Sequence, residues 1–180
     1  GQHQEARVFC INVCKAKQSE SWAWGLLAEV YRDHDSNMAL ACYCKALSCK
    51  SPDEMLVSLR QKMAGILISK KLYKEAKTEI ELLVAARQSH DFKIPNEVLN
   101  WQTQEWYKNA KAQKSNNDFY RQFTAIAESL LFSDVPEETV IVDFVNADKQ
   151  ILNFIVSESK FGFFKYDRFF KNTNIGDILK

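Results

Sequence analysis

Glycine and proline are scarce in this chain, with five of the first and three of the second in 180 residues. So little turn chemistry excludes collagen-like, low-complexity and loop-rich scaffolds and points to long regular elements. Charge of one sign is also missing, since the net charge is +1. No global basic field draws the chain toward nucleic acid or a membrane. No apolar run approaches the roughly 18 residues of a spanning helix, so no membrane partner is expected. The five cysteines include no CxxC pair, and His3, His34 and His90 fall in polar turns or near the terminus. That spacing argues against a metal site and for cysteine as a small buried side chain. There is no Gly-rich phosphate loop, no His-Glu-x-x-His and no Gly-x-Ser-x-Gly. No catalytic residue and no cofactor are therefore expected, and the chain reads as a binding protein and not an enzyme. An odd number of cysteines and no charged-then-apolar leader point to a reducing, cytoplasmic compartment. A first residue of Gly and not Met places the expected native N-terminus upstream of this sequence.

What is present is helical periodicity over most of the chain. Apolar residues at Ala6, Phe9, Cys10, Val13 and Cys14 predict a helix over 4–17. Further helices are predicted over 22–32 (capped by Ser19 or Ser21), 38–49, 52–69, 74–87, 96–114 and 119–132. The turn 33–37 carries N-cap candidates, and Pro52 with Asp53 and Glu54 suits a helix start. After Val135-Pro136 the period changes. Segments 139–145, 151–156 and 161–166 are rich in β-branched and aromatic residues and read as three short strands. The predicted division is a helical domain over 1–134 and a β unit over 137–180.

Within the helices, Trp24, Leu27, Ala28 and Tyr31 are followed by Ala39, Tyr43 and Ala46. This order of large, small and aromatic residues resembles a tetratricopeptide-type helix–turn–helix repeat, in which small residues let paired helices approach closely. A more degenerate copy follows at Met63, Ala64, Leu67, Ala76, Ile80 and Leu83, with Arg60 where a Trp is expected. Upstream, Ala6, Cys10 and Val13 suit half a repeat, and Ala6, Ala39 and Ala76 recur at close to the nominal period of about 34. Trp101, Trp106, Phe119 and Phe123 suit a last antiparallel pair. The resemblance implies a mainly α fold: an α-α superhelix of about three helix pairs, followed by a small partial β unit. It also implies a groove for a protein or peptide partner, lined by first-helix residues not used in packing. Those are Trp22, Glu29, Arg32, Arg60, Gln61 and Ile68.

The tail offers a second reading. Val140-Ile-Val-Asp-Phe144, Val145-Asn146-Ala-Asp-Lys149, Leu152-Asn-Phe154-Ile-Val156 and Gly162-Phe-Phe-Lys-Tyr166 resemble the opening of a cold-shock-type oligonucleotide-binding barrel. Asn174-Ile-Gly176-Asp177-Ile-Leu179 resembles the start of its fourth strand. A five-stranded barrel needs about 25 more residues, so the unit is expected to be incomplete at Lys180. The resemblance implies single-stranded RNA or DNA bound through Phe154, Phe161, Phe163, Lys165 and Tyr166, with Phe169, Arg168 and Lys171 as further stacking and phosphate contacts. Strand alternation places Phe161, Phe163 and Lys165 on one face and Gly162, Phe164 and Tyr166 on the other. Against this, 137–180 carries six Lys/Arg and seven Asp/Glu, a net of −1. The favoured function is thus a non-catalytic scaffold for a protein segment, with nucleic-acid binding by the tail as the alternative. Self-association through exposed end helices is a third possibility.

Overall fold

The structure is a computed structural model and describes residues 2–166, 170 and 172–180. It divides into two compact units, Gly1–Ser133 and Asp134–Lys180. The first holds eight helices among the described residues: α1 (Gln2–Ala16), α2 (Ser21–Tyr31), α3 (Ser36–Ser48), α4 (Asp53–Ser69), α5 (Tyr73–Ser89), α6 (Asn96–Thr103), α7 (Glu105–Asn109) and α8 (Asn117–Ser129). A 3₁₀ turn at Leu130–Phe132 closes it.

Local chemistry sets several of these limits. The Asp35 carboxylate caps α3 by accepting the Asn37 and Met38 amides at 3.1 and 3.0 Å. Neither Ser19 nor Ser21 caps α2, whose N-cap is Glu20. The Ser21 hydroxyl instead accepts a hydrogen bond from Ser51 at 2.9 Å.

The two helix pairs α2/α3 and α4/α5 carry the core. Trp24, Leu27, Ala28, Ala39, Tyr43, Ala46, Met63, Ala64, Leu67, Ala76, Ile80 and Leu83 are all fully buried. The Trp24 indole N–H donates to the Gln18 carbonyl at 2.9 Å, so its one polar atom is satisfied. α1 is rotated from the expected setting. It buries Cys10, Ile11 and Cys14 and leaves Ala6 and Phe9 exposed, because a narrow stripe of small and branched residues is all that packs on the core.

The expected single helix over 96–114 is a correction. It breaks at Gln104 and ends at Asn109, with extended backbone at Gln104 and Ala110. The reason lies in α5, whose side chains hold the chain beyond α7. The Lys77 ammonium donates to the Ala110 carbonyl at 3.0 Å, and the Gln113 amide donates to the Thr78 hydroxyl at 3.1 Å. Trp106 stacks on Tyr73 with ring centroids 5.2 Å apart. Tertiary contacts override helical propensity here. α8 then packs back on α3, where Glu128 pairs with Lys45, and does not form a simple hairpin with α6.

A buried polar cluster joins α4, α5 and α8. Glu79 has no exposed surface. Its carboxylate accepts from Arg60 at 2.8 Å, from the Asn116 amide at 2.6 Å and from the Tyr120 hydroxyl. Asn116 also donates to the Glu75 carbonyl at 3.0 Å. Burial and the Glu79 charge push the Tyr120 hydroxyl well above its ordinary range, so it stays a donor.

The second unit is a four-stranded antiparallel sheet of order β3-β2-β1-β4, with β1 (Val140–Asn146), β2 (Ile151–Ser157), β3 (Lys160–Lys165) and β4 (Ile178–Leu179). Val142 and Leu152 form its buried centre. The register shifts between Val142 and Phe144, a β-bulge that leaves Asp143 and Phe144 both exposed. Before β4, Gly176 has φ +89°, a left-handed conformation suited to glycine. Its amide donates to the Val142 carbonyl at 2.8 Å, and the Val142 amide donates to Asp177 at 2.9 Å.

Removing one partner of a buried ion pair strands the other in a low-dielectric interior. Glu79→Ala is expected to cost about 3–5 kcal/mol. Arg121→Ala, which breaks only the exposed pair with Asp118, is expected to cost less than about 1 kcal/mol. Guanidinium unfolding of both variants checks the difference, and similar midpoints would refute it.

Candidate binding surfaces

The first surface lies on the helical unit, along α2, α4 and α6. Gly25 makes room on α2: a Cβ there would lie 2.4 Å from the Leu59 side chain of α4, whose tip rests on the α2 backbone. Two cavities of about 480 Å³ each open on this face and share Lys62. One is lined by Trp22, Leu26, Met55 and Leu59 with Glu29, and the other by Arg32, Gln61, Gly65, Glu97 and Trp101. Trp22 is 52% exposed and Met55 70%, so the first cavity is mainly an open apolar surface.

Glu29 organises the charges between the two. It accepts from the Tyr43 hydroxyl, from Lys62 at 3.1 Å and from Arg32 at 3.0 Å. Burial alone would raise its pKa, but the hydrogen bonds from Tyr43 and Lys62 outweigh that and hold it below the ordinary carboxylate value. The Gln61 amide donates to Glu97 at 2.7 Å and ties α4 to α6.

Of the residues expected in a groove, Trp22, Glu29, Arg32 and Gln61 line these cavities. Two do not. Arg60 is buried at 8% exposure, because it is the counterion of Glu79. Ile68 is partly buried and packs on both core clusters, beside Leu67 and Ala64. Sequence reasoning missed Leu26, Met55, Leu59 and Lys62. For Leu26, Met55 and Lys62 the signal was available: each is an apolar or basic residue off the packing stripe of α2 or α4, whereas Leu59 is partly buried against the core.

The second surface is the outward face of the sheet. Exposure along β3 alternates, with Phe161, Phe163 and Lys165 outward and Gly162, Phe164 and Tyr166 less exposed. Phe161 and Phe163 are each 73% exposed. They sit opposite Ile155 and Asn153 of β2, and Ile141 and Phe144 of β1 continue the same face. A cavity of about 530 Å³ lies there, lined by Asp143, Asn153, Ile155, Glu158, Phe161 and Phe163 among others.

Phe154 and Tyr166, expected to bind with them, are placed differently. Phe154 also lines this cavity, but β2 alternation turns it from Phe161 and Phe163, and its half-buried ring lies over Gly162 and meets Phe164 at 5.7 Å between centroids. Tyr166 follows β3 in the less exposed phase. Arg168, Phe169 and Lys171 lie outside the described residues.

No helix among the described residues is long and apolar enough to cross a membrane. Among the same residues no group of three or more His, Cys, Asp or Glu could hold a metal ion. The cysteines are free thiols, four of them buried.

Comparison with known families follows this division into helices and sheet. Residues 1–127 match the family described as Domain of unknown function (DUF7017), and the chain belongs to that family. Residues 132–180 match the S1/CSD-like domain 1 of the TOTE conflict systems. The sheet unit is thus S1/CSD-like, in keeping with the cold-shock-type resemblance of its strands. No curated protein and no solved structure matches the chain.

Burial pushes the Cys14 thiol up to about 12, with smaller contributions from Cys10 and Cys49, and raises Cys42 and Cys44 still further. Native protein in mildly alkaline buffer is expected to react promptly with a disulfide reagent at Cys49 at most, and at all five thiols once unfolded. The folded state keeps the Cys14 proton above the ordinary pKa of 9.0 while the unfolded state loses it. That contribution is complete below pH 9.0 and falls as pH rises toward about 12. Prompt native reaction of Cys14 or Cys42 would overturn this account.

Proposed function

We propose that this chain is a non-catalytic binding protein whose S1/CSD-like unit holds single-stranded nucleic acid on the outward face of its sheet. The observation that carries the reading is the pair Phe161 and Phe163, both 73% exposed and both on one strand. Such rings are costly to leave in water unless a ligand covers them, and nucleobases stack on them regardless of sequence. Lys165 continues the same face and suits a phosphate. The S1/CSD-like match of 132–180 supports the same reading.

Fluorescence anisotropy of a labelled single-stranded RNA and its DNA counterpart tests this on the full chain. Phe163→Ala is expected to weaken binding by about 5- to 150-fold, the range for losing one stacked base. Lys165→Ala is expected to reduce the salt dependence. Equal affinity of Phe163→Ala and the parent, with circular dichroism unchanged, would sink the proposal.

A second reading concerns the helical unit, and the clustering of Trp22, Glu29, Arg32 and Gln61 around two adjoining cavities favours it. We read α2 to α5 as tetratricopeptide-like, with the α2/α4/α6 face holding a protein segment. An apolar anchor would enter beside Trp22 and Met55, and polar main chain would face Gln61 and Lys62. A photo-crosslinker placed at Met55 in the cytoplasm of the source cell should capture one defined partner segment. Trp22→Ala with Lys62→Glu should abolish that capture, and undiminished capture by the double variant would refute the groove.

A further inference from the structure

We propose that the outward sheet face selects bases carrying an exocyclic amino group over uracil and thymine, through the carboxylates of Asp143 and Glu158. This deepens the nucleic-acid reading and rests on it.

The cavity on that face is aromatic and acidic together. Phe154, Ile155, Phe161 and Phe163 supply its apolar surface, and Asp143, Glu158, Asn153 and Ser157 its polar side chains. Among the described residues no lysine or arginine lines it. Lys160 is turned away to Glu138, and Lys165 stands at the far end of β3, opposite Ile151. Neither carboxylate has an ion pair or a side-chain hydrogen bond among the described residues.

The bulge in β1 places Asp143 there. In a regular strand consecutive residues point to opposite faces, so Asp143 and Phe144 could not both be outward. The register shift between Val142 and Phe144 leaves both exposed, and Asp143 reaches the cavity while Phe144 still pairs with Asn153. Re-aiming a side chain is what bulges do near functional sites. Glu158 comes from the opposite edge, in the β2–β3 turn.

A phosphate is disfavoured between two carboxylates that have no cation beside them among the described residues. The sugar–phosphate chain must pass toward the Lys165 end, and the cavity receives a base. An ionised carboxylate only accepts hydrogen bonds. Cytosine N4, adenine N6 and guanine N2 donate through amino groups, and acidic side chains pair with such donors. Uracil and thymine have no amino group, and their single N3–H donor stands between two carbonyl oxygens, whose lone pairs would face the carboxylates.

The test compares oligo-C, oligo-A and oligo-U of equal length, at two salt concentrations, on the full chain and on Asp143→Ala, Glu158→Ala and Phe163→Ala. Oligo-C and oligo-A are expected to bind at least about 5-fold more tightly than oligo-U. Asp143→Ala should erase that preference by weakening oligo-C and oligo-A while leaving oligo-U unchanged or tighter. Phe163→Ala should weaken all three. If Asp143→Ala and Glu158→Ala tighten all three oligonucleotides alike, the carboxylates only repel phosphate; the inference falls and the nucleic-acid reading stands. If no oligonucleotide binds, both fall. An arginine-rich peptide that binds this face, loses affinity in Asp143→Ala and is not displaced by oligo-C would also overturn the inference in favour of a cationic protein ligand.

Discussion

The buried carboxylate of Glu79 is the constraint on which the helical unit depends. A charge without exposed surface is tolerable only when every oxygen is engaged. Glu79 draws Arg60 from α4, and Asn116 and Tyr120 from the start of α8, into one cluster. That requirement fixes where α8 begins and brings it back over α3 and α5. The stretch from Ala110 to Asn116 then has to run along α5, held by Lys77, Thr78 and Glu75, and so cannot be helical. With α8 on one side of the helix pairs, the α2/α4/α6 side is left open, and the two cavities of about 480 Å³ lie there.

Two glycines act at close approaches, and each shapes a candidate surface. Gly25 lets Leu59 press on the α2 backbone, which keeps the floor between α2 and α4 shallow and exposes Trp22 and Leu26 at its rim. Gly162 lets the Phe154 ring lie over β3, with its Cζ 3.0 Å from where a Cβ would be. An aromatic ring covering a strand glycine stabilises the pairing. It also commits Phe154 to one face and leaves Phe161 and Phe163 to the other.

The sequence made the two helix pairs legible because close packing demands small residues at fixed positions. Trp24, Ala28, Ala39 and Ala46 could hardly be read otherwise, and all four are fully buried. Strand alternation made the face of Phe161 and Phe163 legible in the same way. What could not be read were effects that depend on a distant partner. Arg60 looked like a surface residue until Glu79 supplied its counterion. The segment 96–114 reads as one helix, because the contacts that hold 110–116 extended come from α5. Phe154 reads as one more stacking candidate, and its pairing with Gly162 shows which side it takes. The bulge at Asp143 leaves no signature in the order of residues, although it decides which charges stand beside the aromatic rings.

The two surfaces differ in how their charges are compensated, and that difference bears on what each can discriminate. On the helical face Glu29 is already satisfied by Tyr43, Lys62 and Arg32, and Glu97 by Gln61. A ligand gains little by contacting groups whose partners are in place, so affinity there must come from covering Trp22, Leu26 and Met55. On the sheet face Asp143 and Glu158 stand beside exposed rings with no cation in the cavity lining among the described residues. A ligand that stacks there must also face two carboxylates, and a wrong polar group is penalised by lost solvation as well as by repulsion. Apolar area sets how tightly each surface can bind, and among the described residues the sheet face adds two carboxylates without a partner, which on the proposed reading reject a ligand that would stack equally well.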